Sequence, residues 1–145
     1  MKSSNLFSIK QATEELQCPA FAYELMREVL LPDLLSEDYE EISYFAGKRL
    51  ARKFPLETVQ ELNEFFETAG WGTLQLIKDK KITLTYELTS PLIEKRFNYD
   101  KAPSFHLEAG FLAEQIQQIN GTLTESSVEL KPRQKKAVIT VQSEK

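Results

Sequence analysis

A single cysteine, Cys18, occurs among the 145 residues, which excludes an intramolecular disulfide and any multi-cysteine zinc site. Histidine is equally scarce. His106 stands alone, so a serine or cysteine hydrolase mechanism would have to use it as base. Five glycines and six prolines are too few for a fibrous or low-complexity chain, and 41% hydrophobic residues are too many for a disordered one. No apolar run approaches the ~18 residues of a membrane span. The N-terminal MKSSNLFSIKQATEEL has no apolar core long enough for a signal peptide, so the chain reads as a soluble cytoplasmic protein. Dinucleotide glycine patterns, phosphate loops and metal-ligand spacings do not occur, and no metal or cofactor is expected. What remains is a chain of one-domain length, with an N-terminal arm over residues 1–17 that lacks a clear period and a single α+β domain over 18–145.

The formal net charge is −4, which argues against nucleic acid as the main ligand. It is unevenly spread, with 3 basic and 9 acidic residues up to Gly47 against 15 and 13 from Lys48 onward. Such polarity can orient a partner, although solvated helix faces also produce it. A nucleic-acid role would need Lys48, Arg49, Arg52, Lys131, Arg133, Lys135 and Lys136 to merge into one basic face.

In chain order, Phe21, Leu25 and Val29 repeat every four residues, joined by Ala22, Met26 and Leu30, and predict a first helix over about 19–31 that ends near Pro32. A second starts at Ser36 with Glu37, Asp38, Glu40 and Glu41 in its first turn, buries Tyr39, Ile42, Ala46, Leu50 and Phe54, and closes at Pro55. Gly47 in its interior costs ~1 kcal/mol relative to alanine, so close approach of another helix or a ligand is expected there. A third runs from Thr58 to Gly70, with Val59, Leu62, Phe65, Phe66 and Ala69 inward. Alternation then takes over. Leu74 and Leu76, then Ile82, Leu84, Tyr86 and Leu88 form an antiparallel pair, with a turn near Asp79 and Lys80 that lacks glycine and so should be looser than a primed hairpin. A short helix begins at Ser90-Pro91. Two last strands hold Leu123, Val128 and Leu130, out of phase as if bulged near Ser126-Ser127, and Ala137, Ile139 and Val141.

Between the two strand pairs lies the segment from Lys101 to Gly121. Phe105, Ala109, Leu112, Ile116 and Ile119 form one stripe along a helix, while Leu107 and Phe111 point off the other side. A helix apolar on both sides has to be covered twice, by further protein of the same chain or by a second subunit. Paired hairpins separated by helices imply an α+β fold, a four-stranded antiparallel sheet under a layer of four to five helices.

This order, with FAGKRLARKFPL at 45–56, FFETAGWGTL at 65–74 and FHLEAGFLAEQIQ at 105–117, resembles the YslB-like family of uncharacterised proteins from low-GC Gram-positive bacteria, over about Tyr23 to Val141. More distantly it is similar to the superfamily that joins TRAPP vesicle-tethering subunits, 4-vinyl-reductase domains and haem nitric-oxide-binding domains. The resemblance implies a TRAPP-like fold that dimerises through helices and in several members holds an apolar ligand between helices and sheet. Where 4-vinyl-reductase domains carry a cysteine before the last long helix, this chain has Ser104, and KPRQKK between the last strands contains no cysteine.

The reading is therefore a non-enzymatic binding module, a homodimer that takes a partner protein or a small apolar ligand. Gly47, Trp71, Ser104, His106 and Gly110 are the candidate ligand-binding residues. Trp71, between two glycines, either stacks on that ligand or plugs the seam between helices and sheet. Leu107 and Phe111 are the candidate dimer contacts, with burial beneath an earlier helix as the alternative. The competing hypothesis is an enzyme acting on a hydrophobic small molecule with His106 as proton carrier. No catalytic set is assigned, because Glu108 and Glu114 diverge on a helix and do not make a facing acid/base pair.

Overall fold

Strand alternation builds the floor of the molecule. The computed structural model describes residues 3–145, and side chains from Ser8 onward. Strands β1 (Thr73–Lys80), β2 (Thr83–Thr89), β3 (Thr124–Lys131) and β4 (Lys136–Ser143) form one antiparallel sheet in the order β1-β2-β4-β3. Leu74, Tyr86, Leu88, Ala137, Ile139 and Val141 lie on its buried face. Two local expectations are corrected. Strand β3 pairs with β4 without a register shift from Thr124 to Lys131, because Leu123 lies before the strand and is 62% exposed. The bulge lies instead in β1, between Leu76 and Lys78, on an edge strand where such a kink hinders edge-to-edge pairing. The β1–β2 connection is only Lys81 and Ile82, shorter than the loose turn expected, yet neither residue has positive φ, so it is not a primed turn.

Helix α7 (His106–Asn120) lies on the sheet, and every residue from Glu108 to Ile116 is buried. Gly121, at φ 77°, ends it in the left-handed conformation. Helix α4 (Tyr39–Lys53) covers the other flank. The two backbones touch. A Cβ on Gly47 would lie 2.1 Å from the Leu107 carbonyl oxygen, and one on Gly110 would lie 1.9 Å from that of Tyr44. Close approach selects the small side of α4, so Gly47 and Ala51 are buried while Ile42 and Phe45 are exposed. The stripe expected through Ile42 is corrected accordingly. Gln115, fully buried, donates to the Phe54 carbonyl at 2.6 Å and accepts from the Leu56 amide at 3.1 Å, fixing the chain as it leaves α4. Helices α5 (Glu61–Thr68) and α6 (Pro91–Arg96) complete the layer, with the Ser90 hydroxyl capping α6 at the Ile93 amide, 3.0 Å.

The N-terminal third departs from expectation. Of the arm expected over 1–17, residues 1 and 2 lie outside the described residues, and the rest is not wholly irregular, since α1 spans Ser3–Thr13, though nearly all side chains from Ser8 to Gln17 are exposed. The next helix does not end at Pro32. It runs as α2 (Ala20–Glu24), a π-helical stretch (Leu25–Leu30) and α3 (Leu31–Leu35) with helical backbone at each junction. The π stretch accommodates the proline: the Leu31 amide bonds five residues back to Met26, and the Arg27 carbonyl is left facing Pro32, which has no N–H. The Tyr39 hydroxyl donates to that carbonyl instead, at 3.0 Å. Among the described residues no helix is long and apolar enough to cross a membrane.

Candidate functional site

The five residues expected to line a ligand pocket do not converge on one. Gly47 and Gly110 are consumed by the contact of α4 with α7. Trp71 is packed edge-on against Phe66 at 5.0 Å and Phe111 at 5.2 Å, and Phe111 stacks on Phe65 at 4.6 Å. These aromatic rings fill the seam beside α7 where an apolar ligand would sit. Phe111 is fully buried there, and the Leu107 side chain is half-buried.

Ser104 and His106 do meet, with the serine hydroxyl 3.2 Å from His106 Nδ1. The Glu40 carboxylate lies 3.1 Å from the same nitrogen. A nucleophile relay needs the hydroxyl on one ring nitrogen and the carboxylate on the other, so this trio does not form a proton relay. It opens onto a surface depression lined by Glu41, Tyr44, Phe45 and Glu125. Tyr44 donates to Glu125 at 2.8 Å, and burial with that carboxylate pushes its phenol up to about 12. Among the described residues no group of His, Cys, Asp and Glu could hold a metal ion.

The most unusual chemistry lies under helix 20–35. Four charged side chains are buried there: Glu24, Arg27, Arg96 and Glu108. Arg27 grips Glu108 with both terminal nitrogens, at 2.8 and 2.7 Å, and also donates to the Ser104 carbonyl at 2.9 Å and the Tyr23 hydroxyl at 2.8 Å. Arg96 donates to Glu24 through Nε at 3.2 and 3.1 Å and through Nη2 at 2.7 Å, and the Tyr99 hydroxyl adds a bond to Glu24 at 2.9 Å. The Tyr23 ring lies near both guanidinium carbons, 5.9 Å from that of Arg27 and 5.7 Å from that of Arg96. Burial alone would raise the Glu24 carboxyl, but the bonds and charge of Arg96 outweigh it and hold Glu24 below the usual carboxylate range. Burial would likewise depress Arg27, and Glu108 overrules it, keeping the guanidinium charged. Glu28, at the edge of the cluster, is pushed up by burial despite Arg96 and Arg27.

Helix 20–35 is thus inverted. Its charged side faces the protein and its apolar side faces out. Phe21 (69% exposed), Leu25 (45%), Met26 (51%), Val29 (56%), Leu30 (40%), Leu31 (38%) and Leu34 (66%) form the outer stripe. A 3.6-residue pattern locates such a stripe but not which side it faces. The available signal was Glu108, a carboxylate set among apolar residues in the first turn of a helix apolar on both flanks, where burial calls for a cation as partner.

Residues 20–142 match the family described as "Protein of unknown function (DUF2507)". The chain is 52% identical over 128 residues, 88% of its own length and 86% of the relative's, to "Uncharacterized protein YslB" of Bacillus subtilis (strain 168). Among solved structures it is similar to a vinyl-4-reductase family protein from Methanocaldococcus jannaschii, at TM-score 0.63 and 20% identity, covering 92% of this chain and 86% of that one. That likeness establishes the fold, an α+β protein with a four-stranded antiparallel sheet under helices.

Proposed function

The chain belongs to the DUF2507 family, and we propose that it is a non-enzymatic binding module that works as a homodimer, joined through the outward side of helix 20–35. The observation that carries this reading is the inversion of that helix, which leaves seven large apolar side chains in one stripe open to water. Together they offer on the order of 600 Å², and with their polar rim they approach the ~800 Å² per partner of a stable interface. Antiparallel two-fold pairing suits the charges at the ends. It sets Asp33, Glu37 and Asp38 of one copy beside the start of the other copy's helix at Pro19 and Ala20, which has no side-chain cap and favours negative charge. The same acidic rim disfavours an anionic lipid surface as the occupant. A protein partner is preferred to a small apolar ligand because aromatic rings occupy the seam beside α7. An enzyme using His106 is disfavoured because its serine and carboxylate neighbours share one ring nitrogen.

Sedimentation velocity tests the reading directly. The wild-type chain is expected to sediment as a dimer, and Val29→Asp as a monomer with an unchanged circular dichroism spectrum. A wild-type monomer at every accessible concentration, or a dimer that survives Val29→Asp, would sink it.

A further inference from the structure

Helix 20–35 is attached in an unusual way. It contributes no residue to the buried hydrophobic core, and only Tyr23 packs partly against that core. Its hold on the body centres on two buried ion pairs to two different elements, Arg27 to Glu108 on α7 and Glu24 to Arg96 on α6. Single hydrogen bonds join them, from Arg27 to the Ser104 carbonyl and from the Tyr39 and Tyr99 hydroxyls to Arg27 and Glu24. The chain that leads into it runs over the surface. Residues 14–19 before it are exposed. After it, Ser36 adopts φ 52°, ψ −131°, a strained conformation for any residue but glycine.

From these features we infer that helix 20–35 is a separately releasable arm, hinged at Ser36 and latched by the Arg27–Glu108 and Glu24–Arg96 pairs. The latch fixes the orientation in which the apolar stripe is presented, and this consequence for docking rests on the homodimer reading above. The two pairs act together. Opening one alone leaves a buried charge without its partner, so partial release is disfavoured and the arm moves as a unit. An element whose apolar contacts with the core are few belongs to the low end of the stability range within a fold.

Native-state hydrogen exchange on the full chain separates this from the dimer question. The wild type and Val29→Asp are compared at rising sub-denaturing urea, with Glu108→Gln and Glu24→Gln as latch variants. Amides of residues 20–35 are expected to exchange as one group well before those of α7 and β4. Each latch variant should accelerate that group by at least roughly a hundredfold and speed α7 and β4 by a similar factor, because it destabilises the native state relative to both the released and the unfolded forms, with residues 20–35 still exchanging first. If residues 20–35 exchange only together with α7 and β4 in the wild type, the arm is not a separate unit and the inference is wrong. The comparison holds even if a latch variant fails to fold, because the wild-type isotherms alone decide it. A Val29→Asp protein that remains dimeric would overturn the interface and leave the latch result standing.

Discussion

Arg27 and Glu108 meet as a two-point pair at 2.8 and 2.7 Å, the carboxylate fully buried and the guanidinium nearly so. Their attraction is offset by the cost of taking both from water, so the pair is worth little relative to apolar residues of the same shape, while either charge alone is costly. Arg27→Met or Glu108→Gln is therefore expected to destabilise by roughly 3–5 kcal/mol in urea unfolding, whereas Arg27→Met with Glu108→Leu should recover most of the loss. Additive losses in the double variant would refute the pairing argument.

Glu24 and Glu28 sit on the same helix and should titrate with opposite consequences. Glu24 is held below its ordinary 4.5, so its contribution is present above that value and is lost as pH falls through the lower folded value. Glu28 is held above 4.5, so it adds no penalty below that pH and an increasing one as pH rises through its higher folded value. Measured against wild type, Glu24→Gln should lose stability at neutral pH and approach it in acid. Glu28→Gln should gain stability at neutral pH and lose that gain below about pH 4.5. Parallel stability curves for the two variants would contradict this assignment.

Gly47 and Gly110 make a reciprocal contact in which each faces the other helix's backbone, so neither neighbour can rotate aside. Gly47→Ala and Gly110→Ala are each expected to cost about 3 kcal/mol or more. Gly121→Ala, which meets no atom within 4 Å but carries φ 77°, should cost only about 1 kcal/mol. Thermal unfolding of the three variants under one buffer ranks them, and an order with Gly121→Ala as the worst would overturn the packing account.

Much of this architecture was legible in the residues. Alternation located all four strands, Ser90-Pro91 and Asn120-Gly121 marked helix ends, and the two-sided apolar pattern of 105–119 placed α7 between two layers. The inverted helix was not legible, because Phe21, Leu25 and Val29 repeat as a core stripe does and periodicity carries no sign. Its continuation past Pro32 depends on a π stretch and on a hydroxyl from Tyr39 that is remote in the helix pattern. The candidate ligand residues failed to converge for a related reason. Small residues signal close approach, and here the approaching group is the backbone of another helix.

Ser36 offers the sharpest test of the hinge. Its φ of 52° with ψ of −131° lies where a Cβ is strained, at a cost on the order of 1–3 kcal/mol. Glycine relieves that strain but adds freedom to the unfolded chain, worth ~0.4–1 kcal/mol in the other direction. Ser36→Gly should therefore leave global stability unchanged or raise it by about 1 kcal/mol, against the usual loss on placing glycine. Ser36→Val, a β-branched residue at the same φ, should destabilise by about 2 kcal/mol or more. Urea unfolding followed at Trp71 reads the global value, and exchange of the residue 20–35 amides reads the local one. If valine were tolerated and glycine were destabilising, the turn would not be held in this conformation and the hinge would have to be placed elsewhere.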